Sequence, residues 1–589
     1  LRSSFSSRLV PLQASTSDKL TTGSRAAAIA FVSYHSSDTL LRSRGIAVHP
    51  IPSQANPFAL SLSTCQMTSI LLAASIAGLV ALYLYHVNRA MTKVPEEARL
   101  LSPRRWTAEE IKEAYRKAIE SPVDVSKSLP PKQHRRYIVV GGSGMSTLPI
   151  DARQLLITSG LVGNWIVTHL LARGEDPTAI RVLDLQSPRQ QILDQGVGFV
   201  KVDITDAEAV QAAFTQPWPQ QDTSLPLTVF HNAAVIRPGE RHKAFLQFCT
   251  RVNVDGTRNI LAAAKKHGAS CFISTSSGSV LLRRPSFWIT PWTNWPKRVV
   301  QIISDAAETP KEHDQFFGNY AVSKAEAERI IRAADSLESN FRTGCIRPAN
   351  GIYGVGDTTI TGMYLIKGGV PRYVSSLPQG RDLHTSLTPS NSWTYPVIQS
   401  FVNAENVSIA HLLYEQRLLD HTASPTKLPN ICGQAFTVPD PNPAIAFSDL
   451  YLLMTTLAKT PIRFPRVAPV PMLLLSYLLE WYALLQHLYL PRLLPRITGD
   501  LEQLQPGLFA ISDVHTFADD SRARKSPAEG GLGYVAPMTT LDGMCKQVLE
   551  WNRSAGAETV AAAADRGKGV VGVSEEGLDV NLVVPSKKL

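Results

Sequence analysis

One short run governs what this chain can fold into. Tyr137-Ile-Val-Val-Gly141-Gly142-Ser143-Gly144 reads as a β-strand that empties into a glycine turn. A strand, a few glycines and then a helix let backbone approach a pyrophosphate at the helix N-terminus. The expected continuation, two residues and another glycine opening a helix, does not follow. Met145 stands there instead, and the continuation comes sixteen residues later as Ser159-Gly160-Leu161-Val162-Gly163-Asn164-Trp165, leading into a helix to Leu171. Joined, the pieces read VVGGSGLVGNWIVTHLL, with Gly141, Gly144 and Gly163 in G-x-x-G-x-x-G spacing. Glycine spacing alone is weak evidence, but a strand before it and a helix after it mark a dinucleotide site.

The interrupting residues 145–160, MSTLPIDARQLLITSG, lie between two copies of Ser-Gly, Ser143-Gly144 and Ser159-Gly160. Removing one copy restores the motif. A phosphate turn works because few residues separate strand from helix, so the segment reads as an intron translated as protein. Gly-Met-Ser is compatible with a 5′ splice site at the codon level. A genuine loop insertion is the alternative, one that would displace the helix start or loop out over the cofactor site. Residues 371–391 form a second such candidate, where YVSSLPQGRDLHTSLTPSN interrupts GGVPR and SWTYP.

Beyond the turn, short β-branched runs alternate with helical patterns, which signals a parallel sheet with crossover helices. The strand candidates are Ile180–Leu185, Gly198–Asp203, Leu227–Asn232, Cys271–Thr275 and Thr343–Arg347. Asp184 falls twenty-one residues after Gly163. A carboxylate there accepts from adenosine ribose hydroxyls and disfavours a 2′-phosphate, so NAD is expected over NADP. Asp203, beside Ile204 at the end of the third strand, is placed to meet the adenine amino group. Tyr320-Ala-Val-Ser-Lys324 puts a tyrosine and a lysine one helical turn apart. A phenol with a pKa near ~10 is a poor base, and a nearby ammonium lowers that pKa. Thr275-Ser276-Ser277 follows the fifth strand and offers a hydroxyl to steady a substrate oxygen, with both serines open as candidates.

From Thr68 to Val87 run twenty residues without a charge, enough to span a bilayer core as a helix. Tyr83 and Tyr85 fall at the interface and Arg89 and Lys93 just beyond, so residues 67–88 read as an anchor with the rest of the chain in the cytosol. Residues 1–66, Ser/Thr-rich with six Lys/Arg against two Asp/Glu, read as a leader lying before a natural start at Met67. Residues 89–134 form a linker with one helix, capped by the Thr107/Glu110 box. The core occupies 135–370 and continues with a substrate-binding region at 392–552. Within the latter, 470–490 is strongly apolar but holds Glu480 and His487, so it reads as an amphipathic helix at the interface or over an apolar pocket, with a second span as the runner-up. Residues 553–589 read as a disordered tail, and Asn552-Arg-Ser554 supplies a glycosylation acceptor that reports lumenal exposure. The net charge of +10 comes without a dense basic run, which does not point to nucleic acid. Six scattered cysteines, with no C-x-x-C pair, argue against zinc or a disulfide framework.

Taken in order, the joined glycine turn, Phe230-His-Asn232-Ala-Ala234, Asn253-Val-Asp-Gly256-Thr257, Ser274-Thr-Ser-Ser277, Tyr320/Lys324 and Arg347-Pro348-Ala-Asn350-Gly-Ile-Tyr353-Gly354 resemble the extended short-chain dehydrogenases. Phe401-Val-Asn-Ala-Glu405-Asn406 with His411, and Gly531-Leu-Gly-Tyr534, resemble the 3β-hydroxysteroid dehydrogenase branch, which includes sterol-4α-carboxylate 3-dehydrogenases. The resemblance spans roughly residues 135–552. It implies an α/β, Rossmann-type doubly wound sheet with a smaller C-terminal substrate-binding region behind the N-terminal transmembrane helix. It implies Tyr320 as general base, Lys324 as its partner and a nicotinamide-ribose ligand, and Ser277 as the substrate-orienting serine. It also implies NAD contacts at Gly141, Gly144, Gly163, Asp184, Asp203, Ile204, Ala233, Lys324 and Pro348. The expected partners are a sterol or steroid substrate, membrane lipid, and a second copy or other sterol-pathway enzymes, at the endoplasmic reticulum membrane. The rival readings are a nucleotide-sugar epimerase or reductase of the same superfamily and a non-catalytic membrane-bound NAD-binding protein. The Trp-rich stretch Phe287–Trp295 lengthens the gap between Ser277 and Tyr320 and reads as a lid.

Overall fold

A computed structural model describes residues 57–143, 160–219, 223–368, 393–498 and 500–565 of the chain. Gly144, the interruption up to residue 159 and the second candidate insertion lie outside the described residues. The chain forms two units, Leu1–Ala73 and Ala74–Leu589. Helix α1 (Pro57–Thr92) makes up the described part of the first and runs into the second. Among the described residues, one helical stretch, Met67–Leu101, is long and apolar enough to cross a membrane, with a mean hydropathy of 2.1.

The second unit is organised by seven strands: β1 (Arg136–Val140), β2 (Ile180–Asp184), β3 (Gly198–Lys201), β4 (Leu227–His231), β5 (Ala269–Thr275), β6 (Arg342–Pro348) and β7 (Gln434–Val438). Their order is 7-6-5-4-1-2-3, and every neighbouring pair is parallel. The order reverses between β1 and β4, so the carboxyl ends of those strands open a crevice. Alternation along β1 builds both layers. Tyr137 and Val139 pack with Ile166 and Leu170 of α2 (Gly160–Ala172). Ile138 and Val140 pack on the other face with Val210, Ile260 and Ile331, the last from α3 (Asn319–Ala333). Helix α4 (Ala404–Ala423) covers the first layer with Leu412 and Leu418. The expected strands all form, some ending a residue or two early. Strand β7 is an addition: its run is short, and only pairing with β6 fixes it as a strand.

A small four-stranded sheet, Val300–Ser304, His515–Asp519, Ile398–Gln399 and Ile445–Ala446, builds the neighbouring region. The linker helix Ala108–Glu120 starts at the expected box: Thr107 Oγ1 accepts from Glu110 N at 3.2 Å, and Glu110 Oε2 from Thr107 N at 3.1 Å.

The apolar segment is helix α5 (Pro469–Leu488). One side, with Val470, Met472 and Leu473, packs with Val87, Ala90 and Met91 of α1 and with Phe287 and Ile289. Glu480 is bound by Arg241 through two bonds of 3.0 and 2.8 Å. The other side exposes Leu478 (63%) and Trp481 (64%). The Trp-rich stretch therefore packs against the end of α1, with Trp292 left exposed.

Two expectations change. Helix α6 (Thr540–Asp565) runs on past residue 553, where the tail was expected to begin. The stretch that follows is rich in alanine, and extending a formed helix costs far less than starting one. Asn552 is buried, its amide nitrogen donating to Tyr115 OH at 3.0 Å and Leu457 O at 2.9 Å. Packing leaves no access to it for a glycan in the folded chain.

Candidate active site

The glycine turn at the end of β1 closes against the start of α2. A Cβ at Gly163 would sit 2.2 Å from the Gly141 carbonyl oxygen, and one at Gly141 would sit 2.6 Å from Ala233 N. Gly141 also has a φ of +76°, which favours glycine. Gly141 and Gly163 thus meet in space across the interruption, and the helix start is not displaced.

Asp184, at the end of β2, is the next fixed point. Its carboxylate accepts from Ser143 N at 3.1 Å and Leu185 N at 2.7 Å. Burial raises its pKa and these amides oppose the shift. Gln186 N adds a longer bond of 3.4 Å; a carboxylate has about four acceptor sites, so a ribose hydroxyl can still be received. A cleft of about 800 Å³ brings Asp184, Asp203, Ile204 and Ala233 together. Gly256 lets the next layer approach: a Cβ there would lie 2.7 Å from Ile204 Cδ1. Four of the expected cofactor residues therefore line one cleft beside a cradle that only glycines leave open. That is a fit to the adenosine and pyrophosphate portion of a dinucleotide. Arg251, exposed in the same cleft, was not foreseen; its position depends on the π-helical turn Arg251–Gly256.

Helix α3 carries the reactive pair. Tyr320 and Lys324 lie on its buried side, one turn apart. Lys324 Nζ donates to the Thr275 carbonyl at 2.6 Å, at the end of β5, and burial pushes its pKa down to about 8. Tyr320 packs with Cys249, Val280 and Phe317. Burial pushes its phenol up to about 12, while the Ser277 hydroxyl favours the phenolate. The expected lowering of the Tyr320 pKa by Lys324 does not operate here: burial raises it, and the Ser277 hydroxyl is what opposes the rise.

The two candidate serines differ in their partners. Ser276 Oγ donates to Glu328 Oε2 at 2.6 Å, and Glu328 also holds the Arg347 guanidinium through Nε at 3.0 Å. Ser276 is thereby tied into a buried ion pair. Ser277 Oγ is 2.8 Å from Ser279 Oγ and faces the phenol. Pro348 lies across from this corner, its carbonyl oxygen 2.8 Å from where a Cβ of Gly278 would be.

Asn253 was quoted only as part of a motif, yet it positions the helix. Its amide nitrogen donates to Val235 O at 3.0 Å and to Ser323 Oγ at 2.9 Å, the residue just before Lys324. His411 also stays inside the protein, bonding Thr275 Oγ1 at 2.9 Å and Val407 O at 2.8 Å. Burial lowers its pKa to about 4, so it is neutral at physiological pH.

The profile of the 3-beta hydroxysteroid dehydrogenase/isomerase family matches residues 156–462. The chain is 30% identical over 302 residues to the decarboxylating sterol-4-alpha-carboxylate 3-dehydrogenase of Saccharomyces cerevisiae, which covers 50% of this chain and 72% of that one. It is 26% identical over 422 residues to short-chain dehydrogenase/reductase family 42E member 1 of Mus musculus, covering 70% and 90%. It is 32% identical over 183 residues to 3beta-hydroxysteroid dehydrogenase/Delta(5)-Delta(4) isomerase 1 of Caenorhabditis elegans, covering 31% of this chain and only 33% of that relative.

Proposed function

The chain belongs to the 3-beta hydroxysteroid dehydrogenase/isomerase family, and from that premise we propose that it oxidises the 3β-hydroxyl of a membrane-dissolved sterol or steroid with NAD. The supporting observation is the meeting of Tyr320, Lys324 and Ser277 at the end of β5, on the side of the sheet where the glycine turn and the Asp184 cleft open.

Gly141 and Gly163 would let backbone approach the pyrophosphate, and Asp184 would take the adenosine ribose. Lys324 would take the nicotinamide ribose from its seat on the Thr275 carbonyl. NAD supplies the hydride acceptor for C3. Ser277 donates to the substrate oxygen and holds it at the phenol. Tyr320, as phenolate, removes the hydroxyl proton. The buried ammonium of Lys324 would favour that phenolate before the transfer, and taking the proton leaves Tyr320 a neutral phenol. Where C4 of the substrate carries a carboxylate, the product is a β-keto acid, which can lose CO₂ because the new ketone accepts the electrons as an enolate.

The apolar run of α1 supports a membrane setting, and we assign the enzyme to the endoplasmic reticulum with its second unit in the cytosol. The test is NADH formation by membranes containing the chain, with a 3β-hydroxysterol and, in parallel, a UDP-sugar. Sterol-dependent NADH supports the reading; turnover of the UDP-sugar alone overturns it. The same assay, with NAD titration, on a chain lacking residues 145–160 tests whether that segment belongs to the working enzyme. Binding recovered only on deletion supports the intron reading, and tight binding by the full chain ends it.

A further inference from the structure

The second large cavity, about 860 Å³, has no part in the chemistry above. It opens where α1 ends: Thr92, the last residue of that helix, lines it, together with Val94 and Arg99. Thr92 is five residues past Val87, the end of the charge-free run, or about 7 Å along a helix axis. In a helix that crosses a bilayer, that is the level of the headgroups rather than the hydrocarbon.

The lining is amphipathic. Trp393 and Ile398 are buried and give it an apolar floor. Arg99, Arg105 and Arg466 supply three guanidinium groups. Arg105 is neutralised by Asp449 at 2.8 Å. Arg99 and Arg466 pair with no carboxylate among the described residues. Arg466 is held over the Tyr395 ring, 4.0 Å from its centroid, which fixes the cation without cancelling it. Glu96 is the one acidic residue in the lining, so one positive charge is left over. A single phosphodiester anion balances that charge, and forked guanidinium donors suit its oxygens.

We propose that this cavity binds the phosphate of an anionic amphiphile, with the apolar floor taking the adjoining glycerol and first methylenes. The two sources of that chemistry are an anionic phospholipid of the surrounding bilayer and a free phosphate monoester or inorganic phosphate. Only the lipid source depends on the anchor reading, which resistance to alkaline carbonate extraction tests separately.

The experiment uses the full chain purified in a neutral detergent. Native mass spectrometry counts bound phosphatidylglycerol, phosphatidylcholine and diacylglycerol, and melting curves are recorded with and without inorganic phosphate. The expected result is preferential retention of phosphatidylglycerol, about tenfold weaker in the Arg99→Gln/Arg466→Gln variant. Arg99→Lys/Arg466→Lys keeps the charge and is expected to keep most of the binding, which separates charge from any damage to folding. Stabilisation by inorganic phosphate without lipid preference, lost in the glutamine variant, assigns the site to the free anion. Equal retention of phosphatidylglycerol and phosphatidylcholine with no phosphate effect, or unchanged binding in the glutamine variant, overturns the proposal.

Discussion

The central sheet holds a buried polar cluster at each end, and the tyrosines of the two have opposite surroundings. At the amino ends of the strands, Arg173 reaches Glu175 at 3.0 Å and Glu415 at 2.7 Å. Tyr137 donates to Glu175 at 3.1 Å, and Thr228 donates to Glu415 at 2.8 Å. Charge there is met by opposite charge. Burial and the neighbouring carboxylates push the Tyr137 phenol far above its ordinary range, so it never ionises. At the carboxyl ends Glu328 and Arg347 are paired in the same way, but Tyr320 and Lys324, as deeply buried, have neutral partners, the Ser277 hydroxyl and the Thr275 carbonyl. Paired charges make a rigid joint. Charged or ionisable groups left with neutral partners keep a protonation state that a cofactor or substrate can move.

The strongest test of that contrast is Tyr320→Phe. Removing the hydroxyl should lower kcat about a thousandfold, with NAD affinity and melting temperature close to those of the parent. Near-normal turnover would remove Tyr320 from the mechanism. Glu415→Ala probes the other cluster. It leaves Arg173 short of a buried partner and should destabilise the fold by about 3 kcal/mol in denaturant titrations, without changing kcat of the folded enzyme. A loss of kcat at full stability would break the division between the two ends.

The buried ammonium gives a pH signature. Lys324 titrates near 8 in the folded chain against an ordinary 10.5. Between those values the unfolded chain holds a proton that the folded chain has lost, so this group's contribution to stability rises with pH across that window. Lys324→Met should abolish that increment and stabilise the cofactor-free chain at pH 7 by on the order of 2 kcal/mol. An identical rise with pH in the variant would place its origin elsewhere. The smallest effect is expected at Asp184. Asp184→Ser with Leu185→Arg should move cofactor preference toward NADP by about tenfold. Some loss of NAD affinity should accompany it, because Asp184 also accepts from Ser143 N. A parent enzyme that already prefers NADP would contradict the reading of Asp184.

The linker cap, all six strands expected after the linker to within two residues, and the Tyr320/Lys324 face were legible because each depends on neighbours a few positions away. A capping box needs a hydroxyl and a carboxylate three apart; a helical face needs four-residue spacing. Strand β7 and the full length of α6 were less legible. The first depends on pairing with β6, and the second on propagation from a helix nucleated upstream.

The sequence by itself determined the parallel α/β pattern, the glycine turn, the apolar run and the residue types of the reactive pair. Tertiary structure alone decided that Gly141 and Gly163 meet despite the sixteen-residue interruption between them. It gave Ser276 to the Glu328–Arg347 pair and left Ser277 beside Tyr320, and it buried Asn552. The physical reason is common to all three. Spacing along the chain sets which side a residue faces, but its free valences and its access to water depend on segments tens to hundreds of residues away.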